Sequence, residues 1–251
     1  MIYYKDDICI FFGSLNPLPH DHHAVEICIG TDQLLHIRVN GEAPVDYKAG
    51  LILANCVHEA ILDPGKGEKI TLLLDADLPV ARAITHAYKD STQYVIPLNP
   101  DTVNPFIRQL KDLKVIGGDN CGDLMLVVIR EMLPVLFPPS LFPEAPALDE
   151  RISTVVSYIR EHIENKNFSL AGIAKMVDLS EGRLAHLFKD EIGIPFRKYV
   201  LWTRLKVAVN HVLKGTSITQ ASYIAGFSDS SHFNKVYVKM FGLNPSGPLW
   251  A

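Results

Sequence analysis

The chain has 251 residues, 48% hydrophobic and 21% charged, with a formal net charge of −4; this balance suits one large or two small folded domains and excludes a disordered or collagen-like chain. Its most apolar run, Leu124 to Ile129, stops at Arg130 and Glu131, far short of the ~20 residues that cross a bilayer, so no membrane partner is expected. The opening MIYYKDD has no basic stretch followed by an apolar one and reads as no signal peptide. Four scattered cysteines, Cys9, Cys28, Cys56 and Cys121, form no CxxC pair; they are expected to be reduced, mostly buried thiols of a cytoplasmic protein.

Charge divides unevenly. Residues 1–148 hold 11 Lys+Arg against 19 Asp+Glu, a net of −8, whereas residues 149–251 hold 13 against 9, a net of +4. An acidic half joined to a basic half suggests that one end meets phosphate and the other does not.

Residues 1–98 read as strands. The runs ICIFFG, VEICIG, LLHIRV, GLILAN and KITLLL are separated by the turn material NPLPHD, GEAP and DPGKGE, a spacing that suggests a β-sandwich or barrel. Two helices are expected next, Asn104 to Leu113 and Asp123 to Phe137. The second is apolar on nearly all sides and needs cover on both, from the barrel and from a further surface such as a second subunit. FPPSLFPEAPALD then spans Phe137 to Asp149; its prolines favour an extended, irregular chain and mark the domain boundary. Residues 1–137 are therefore read as one domain, 138–148 as a Pro-rich linker and 149–251 as a second domain. The second begins with Ile152, Val155, Val156, Ile159 and Ile163 along one helix face.

Residues 169–193, SLAGIAKMVDLSEGRLAHLFKDEIG, read as two short helices capped by Ser169 and Ser180 about a tight turn. Ile173, Ala174, Leu184 and Phe188 face inward, the layout of a helix-turn-helix whose second helix enters the major groove. Residues 217–242, SITQASYIAGFSDSSHFNKVYVKMFG, repeat it, with Ser217 and Gln220 as a capping box. Leu179 maps to Phe227, and Leu184, Phe188 and Gly193 map to Phe233, Tyr237 and Gly242, so the second copy carries one extra turn residue. The copies are joined by PFRKYVLWTRLKVAVNHVLKG, opened by Pro195 and ended by Gly215. A helix of roughly 18 residues spans ~27 Å, near the ~34 Å between successive major grooves on one DNA face.

From about Ile152 to Pro245 the chain resembles the DNA-binding domain of the AraC/XylS family of transcription regulators. The resemblance rests on IAKMVDLSEGRLAHLFKDEIG, on Arg204 with Ala208 in the linker helix, and on AGFSDSSHFNKVYVKMFGLNP. The chain departs from the family pattern at Ala221-Ser222, Lys235 and Val238, and after Pro245, where SGPLWA follows. By the resemblance, Gly182, Ala185 and His186 hold base-facing positions on the first recognition helix, where Arg183 and Lys189 are also outward. On the second, Ser230, Ser231, Asn234 and Lys235 are outward; Asn suits adenine and Lys suits guanine or phosphate. Arg197 and Lys198 of the linker helix are further phosphate candidates, and Arg204 is either that or a buried ion pair.

In the N-terminal half, Gly13, His20, His22, Glu26, Gly50 and His58 follow in an order that resembles the cupin motifs, and effector domains of the AraC type commonly have that barrel shape. Imidazole and carboxylate ligands would suit Fe, Mn, Ni or Zn. His20, His22, Glu26 and His58 are read instead as lining an effector pocket, with no metal and no cofactor. The expected fold class is α+β: a cupin-like barrel with a C-terminal helical pair, then an all-α double helix-turn-helix domain. The expected function is regulation of transcription, not catalysis, with promoter DNA, a small-molecule effector and a second copy of the chain as partners and RNA polymerase as a further candidate. The alternative is a metal-dependent cupin enzyme with a DNA-binding tail.

Overall fold

The structure, a computed structural model, describes residues 1–164 and 169–245; the terminal SGPLWA lies outside the described residues. The chain divides into two compact units, Met1–Ala145 and Pro146–Ala251.

Nine strands are described in the first unit: β1 (Ile2–Lys5), β2 (Ile8–Gly13), β3 (Ala24–Gly30), β4 (Leu35–Val39), β5 (Val45–Tyr47), β6 (Ala49–Ile52), β7 (His58–Ile61), β8 (Lys69–Asp75) and β9 (Val95–Pro97). They pair into two sheets, a six-stranded one ordered β1-β2-β8-β3-β6-β9 and a three-stranded one ordered β5-β4-β7. Alternation along β3 separates two cores, because successive side chains leave a strand on opposite faces. Val25, Ile27 and Ile29 join Ile10, Phe12, Leu51, Ile70 and Leu72 under the helices. Cys28 faces the other way and joins Ile52 with Leu35, Ile37 and Ala60 of the three-stranded sheet and Leu62 just after it.

Three helices, not the expected pair, cover the first core: α1 (Pro79–Ala87), α2 (Pro100–Ile116) and α3 (Cys121–Leu136). The sequence pattern predicts strand after β8, yet Pro79 opens a helix that buries Ala81, Ala83 and Ile84. A proline at the first helical position loses no hydrogen bond there. Helix α2 likewise starts earlier than expected, at Pro100, where the Asn99 side chain accepts from the Asp101 amide. Helix α3 buries Met125, Ile129 and Met132 completely, while Leu124, Val127 and Val135 on its far side stay 49%, 53% and 54% exposed. Phe142 of the Pro-rich stretch turns back to pack on Phe137 and Tyr88.

The second unit contains α4 (Glu150–His162), α5 (Leu170–Met176), α6 (Glu181–Ile192), α7 (Phe196–Leu213), α8 (Ile218–Ile224) and α9 (Ser230–Phe241). Helix α7 packs against α4 and α6 at one end and α8 and α9 at the other. Its 18 residues bury Tyr199, Trp202, Leu205, Ala208 and Val209.

Candidate functional site

The two helix pairs α5–α6 and α8–α9 are built alike, from their caps upward. Ser169 accepts from the Gly172 amide, Ser180 from Arg183 and Ser217 from Gln220. The expected capping box at Ser217 is only half formed, since the Ser217 hydroxyl donates to Gln220 Oε1 instead of leaving that group for the cap amide. Asp229, not a serine, caps α9 through the His232 amide at 2.8 Å. Both turns close with one hydrogen-bond pattern. The Leu179 amide reaches the Ala174 carbonyl at 2.9 Å and the Phe227 amide reaches the Ser222 carbonyl at 3.0 Å. Each brackets a left-handed residue, Asp178 (φ 52°) or Gly226 (φ 81°), as a Schellman ending requires. Four residues then separate α5 from α6 and five separate α8 from α9.

On α6, Leu184 and Phe188 point into the core, leaving Gly182, Arg183, His186 and Lys189 exposed and Ala185 half-buried. His186 Nε2 lies 3.3 Å from Asp190 Oδ2 one turn later, a local partner that competes with any base contact. On α9, Ser231 and Lys235 are exposed and Ser230 is half-buried. Asn234 corrects the reading of an outward amide: it is half-buried beside the Phe233–Tyr237 stripe, with Oδ1 buried and no hydrogen-bond partner to that atom. Arg197 is exposed and Lys198 half-buried at the start of α7. Arg204, further along α7, is half-buried against Gly226, where an added Cβ would lie 3.0 Å from its Nε.

In the first unit, His20, His22, Glu26 and His58 come together. Glu26 stands on β3 and His58 opens β7, while the loop before β3 brings in His20 and His22. Paired backbone bonds between His20 and His58, at 3.0 and 2.9 Å, hold that loop in place. Glu26 Oε2 lies 2.9 Å from His22 Nε2 and 3.0 Å from His58 Nε2. All four residues are buried. Burial, then the neighbouring imidazoles of His58 and His22, lower the His20 pKa to about 3. Burial also acts to lower His58, but the Glu26 carboxylate and hydrogen bonds outweigh it and the pKa rises to about 10. Burial raises Glu26, but the charge of His58 and hydrogen bonds from His22 and His58 outweigh it and hold the carboxyl well below its usual range.

Sequence comparison places this geometry. The family model described as "Helix-turn-helix domain" matches residues 173–247. The arabinose operon regulatory protein of Escherichia coli is 33% identical over 104 residues, covering 40% of this chain and 35% of that protein. The transcriptional activator RhrA of Rhizobium meliloti is 30% identical over 129 residues, covering 49% of this chain and 40% of that protein. Over its C-terminal part the chain is similar to these AraC-type regulators. It spans about half or less of the length of the curated relatives it matches, as with the activator RhaS of Salmonella schwarzengrund, 27% identical with 51% of that protein covered. A structure of ToxT from Vibrio cholerae has the same fold across 98% of both chains, at a TM-score of 0.61 and 11% identity. These relatives are regulators, and none of them supports the alternative of a metal-dependent enzyme.

Three residues of consequence escaped the sequence reading. In the second unit, Asp229 as the α9 cap was signalled by GFSDSS, an acid just before an apolar-periodic run. In the first unit, Cys28 donates to Glu26 Oε1 at 2.6 Å; its signal was its place two residues after Glu26, on the same strand face. Lys69, only 2% exposed, donates to the Ala60 carbonyl, and nothing in KITLLL marks that lysine as interior.

Proposed function

We propose that this chain is a sequence-specific, DNA-binding regulator of transcription working in the cytoplasm. The observation that carries the proposal is the pair of like-built helix-turn-helix motifs mounted on one 18-residue helix, which suits recognition helices in adjacent major grooves. The basic surplus of residues 149–251 supports it. Arg183, Lys189 and Arg197, all exposed, are assigned to phosphate, with half-buried Lys198 as a lesser contact. Gly182, Ala185 and His186 sit at the base edges of one groove and Ser230, Ser231 and Lys235 at those of the other, with Asn234 demoted by its burial.

The assignment has a direct test. The affinity of the full chain for promoter DNA should fall steeply with salt. Lys189→Ala should weaken all sequences alike and lower the salt slope by about one. Lys235→Ala should relax the selected motif at one or two base pairs, at ~1–3 kcal/mol each. Binding-site selection that shows Lys189 changing the motif and Lys235 leaving it intact would reverse the two roles.

For the first unit we propose a cupin-like arrangement of the two sheets that serves effector binding and dimerisation. ToxT, of the same fold, has been crystallised with an unsaturated fatty acid bound, which supports a small-molecule effector here. RNA polymerase is proposed as a further partner only by the resemblance to these regulators. Dimerisation is supported by the exposed apolar residues Leu124, Val127 and Val135 on α3, and by Val115 and Ile116 at the end of α2, 87% and 76% exposed. Sedimentation of the full chain should give a dimer at micromolar concentration. The double substitution Leu124→Glu, Val127→Glu, placed on exposed positions, should give a folded monomer. A wild-type monomer at that concentration would remove the dimer from the proposal.

A further inference from the structure

We infer that His20, His22, Glu26 and His58 form a binding site for one divalent first-row transition-metal ion. This departs from the reading of these residues as a metal-free pocket, and it does not depend on the DNA-binding proposal. One candidate ligand atom from each residue lies within 4.8 Å of all the others. Bonds of about 2.0–2.2 Å keep a cation's ligand atoms within about 4.4 Å of one another. A tetrahedral ion holds its ligand atoms about 3.3–3.6 Å apart, so closing on one needs side-chain movement on the order of an ångström.

The hydrogen bonds around the cluster prepare it for a cation. His20 Nδ1 lies 2.9 Å from the Leu18 carbonyl, His22 Nδ1 3.2 Å from that of Ala24 and His58 Nδ1 3.0 Å from that of Cys56. A carbonyl only accepts, so each Nδ1 holds its proton and each ring offers Nε2 to the centre. Backbone carbonyls orienting imidazoles in this way are a recurrent support for metal ligands. Glu26 is prepared likewise: the Cys28 thiol occupies Oε1 at 2.6 Å and leaves Oε2 facing His22 and His58. A single proton bridges two of these atoms, whereas one metal ion satisfies all four. None of the four residues is more than 6% exposed, so water does not solvate them instead.

The donor set selects the ion. Three imidazole nitrogens and one carboxylate oxygen suit Zn, Ni, Co, Fe or Mn in the divalent state. Calcium and magnesium prefer all-oxygen shells, and the Cys28 sulfur that would attract a softer ion is committed to Glu26. Since Glu26 belongs to the six-stranded sheet and His58 to the three-stranded one, the ion would tie the two sheets together.

The test uses the full chain, treated with a chelator and titrated with Zn(II) alone and, separately, with Co(II). One equivalent of ion per chain should remain after gel filtration. The melting temperature should rise, because an ion that binds only the folded state stabilises it. Co(II) should give a visible ligand-field band. Glu26→Gln and His58→Gln should each weaken binding by at least ~10-fold. His36→Asn should leave it unchanged; His36 is a surface histidine between Asp46 and Asp63 that would account for adventitious binding. Absence of stoichiometric binding overturns the inference, as does binding lost in His36→Asn but kept in Glu26→Gln. If the cluster variants do not fold, the Co(II) spectrum of the wild-type chain decides, and its absence overturns the site.

Discussion

Phe188→Ala is expected to remove ~3–5 kcal/mol from the stability of the C-terminal unit, the cost of truncating a fully buried aromatic ring. Phe188 has no exposure. Its ring packs edge-on against Phe196 and Tyr199, with centroids 5.5 and 5.4 Å away, so the void opens where α6 meets the start of α7. Domains of this size hold only ~5–15 kcal/mol in total. DNA binding should therefore fail although Phe188 points away from the proposed DNA face. The neighbouring Lys189→Ala, on an exposed position, should change stability by no more than ~0.5 kcal/mol while still weakening DNA binding. Urea unfolding followed by tryptophan fluorescence isolates the effect, because neither of the chain's two tryptophans falls within residues 1–145. An unchanged midpoint for Phe188→Ala would mean that the ring cluster does not support α6.

Gly122→Ala should destabilise the first unit by ~1–3 kcal/mol through overpacking. A Cβ at Gly122 would lie 2.0 Å from Cδ2 and 2.3 Å from Cε2 of the Tyr3 ring. A ring cannot fold aside like the end of a lysine, so β1 must move off α3. That motion strains the bond from the Tyr3 hydroxyl to Asp123 and the Lys5–Asp123 pair at 2.7 Å. Tyr3→Ala in the same chain should restore much of the loss, a coupling that a double-mutant cycle measures by calorimetry. If the two losses simply add, the ring is not what excludes the methyl group.

How far the sequence could be read depended on what each signal encodes. The run ICIFFG is the strand Ile8–Gly13 residue for residue, because alternate burial of Ile8, Ile10 and Phe12 leaves an apolar trace. β7, HEAI, leaves no such trace, since it buries His58 and Glu59; β5 and β9 are three residues each, too short for periodicity. The helix-turn-helix repeat was legible in detail because caps, turn and core positions are all local. The histidine cluster was legible only through the resemblance to the cupin motifs, which named His20, His22, Glu26 and His58 together. That His58, 32 residues after Glu26, lies opposite it follows from the bridge between His20 and His58, and local periodicity carries no record of such a long-range pairing. Asn234 was misplaced for a finer reason: it borders the buried stripe of α9, and a helical wheel does not say how wide that stripe is.

The single rod α7 also constrains how such a protein can change. Each helical residue contributes about 1.5 Å of length and about 100° of rotation. Inserting one residue between Phe196 and Leu213 would hardly alter the distance between the two motifs, yet it would swing one about a quarter-turn out of phase with the other. A shift that nearly restores the phase takes seven residues, two turns and about 10.5 Å. Small insertions are therefore barred from α7. On the DNA-binding reading proposed above, new target sequences are reached by exchanging side chains on α6 and α9 and not by respacing the two motifs.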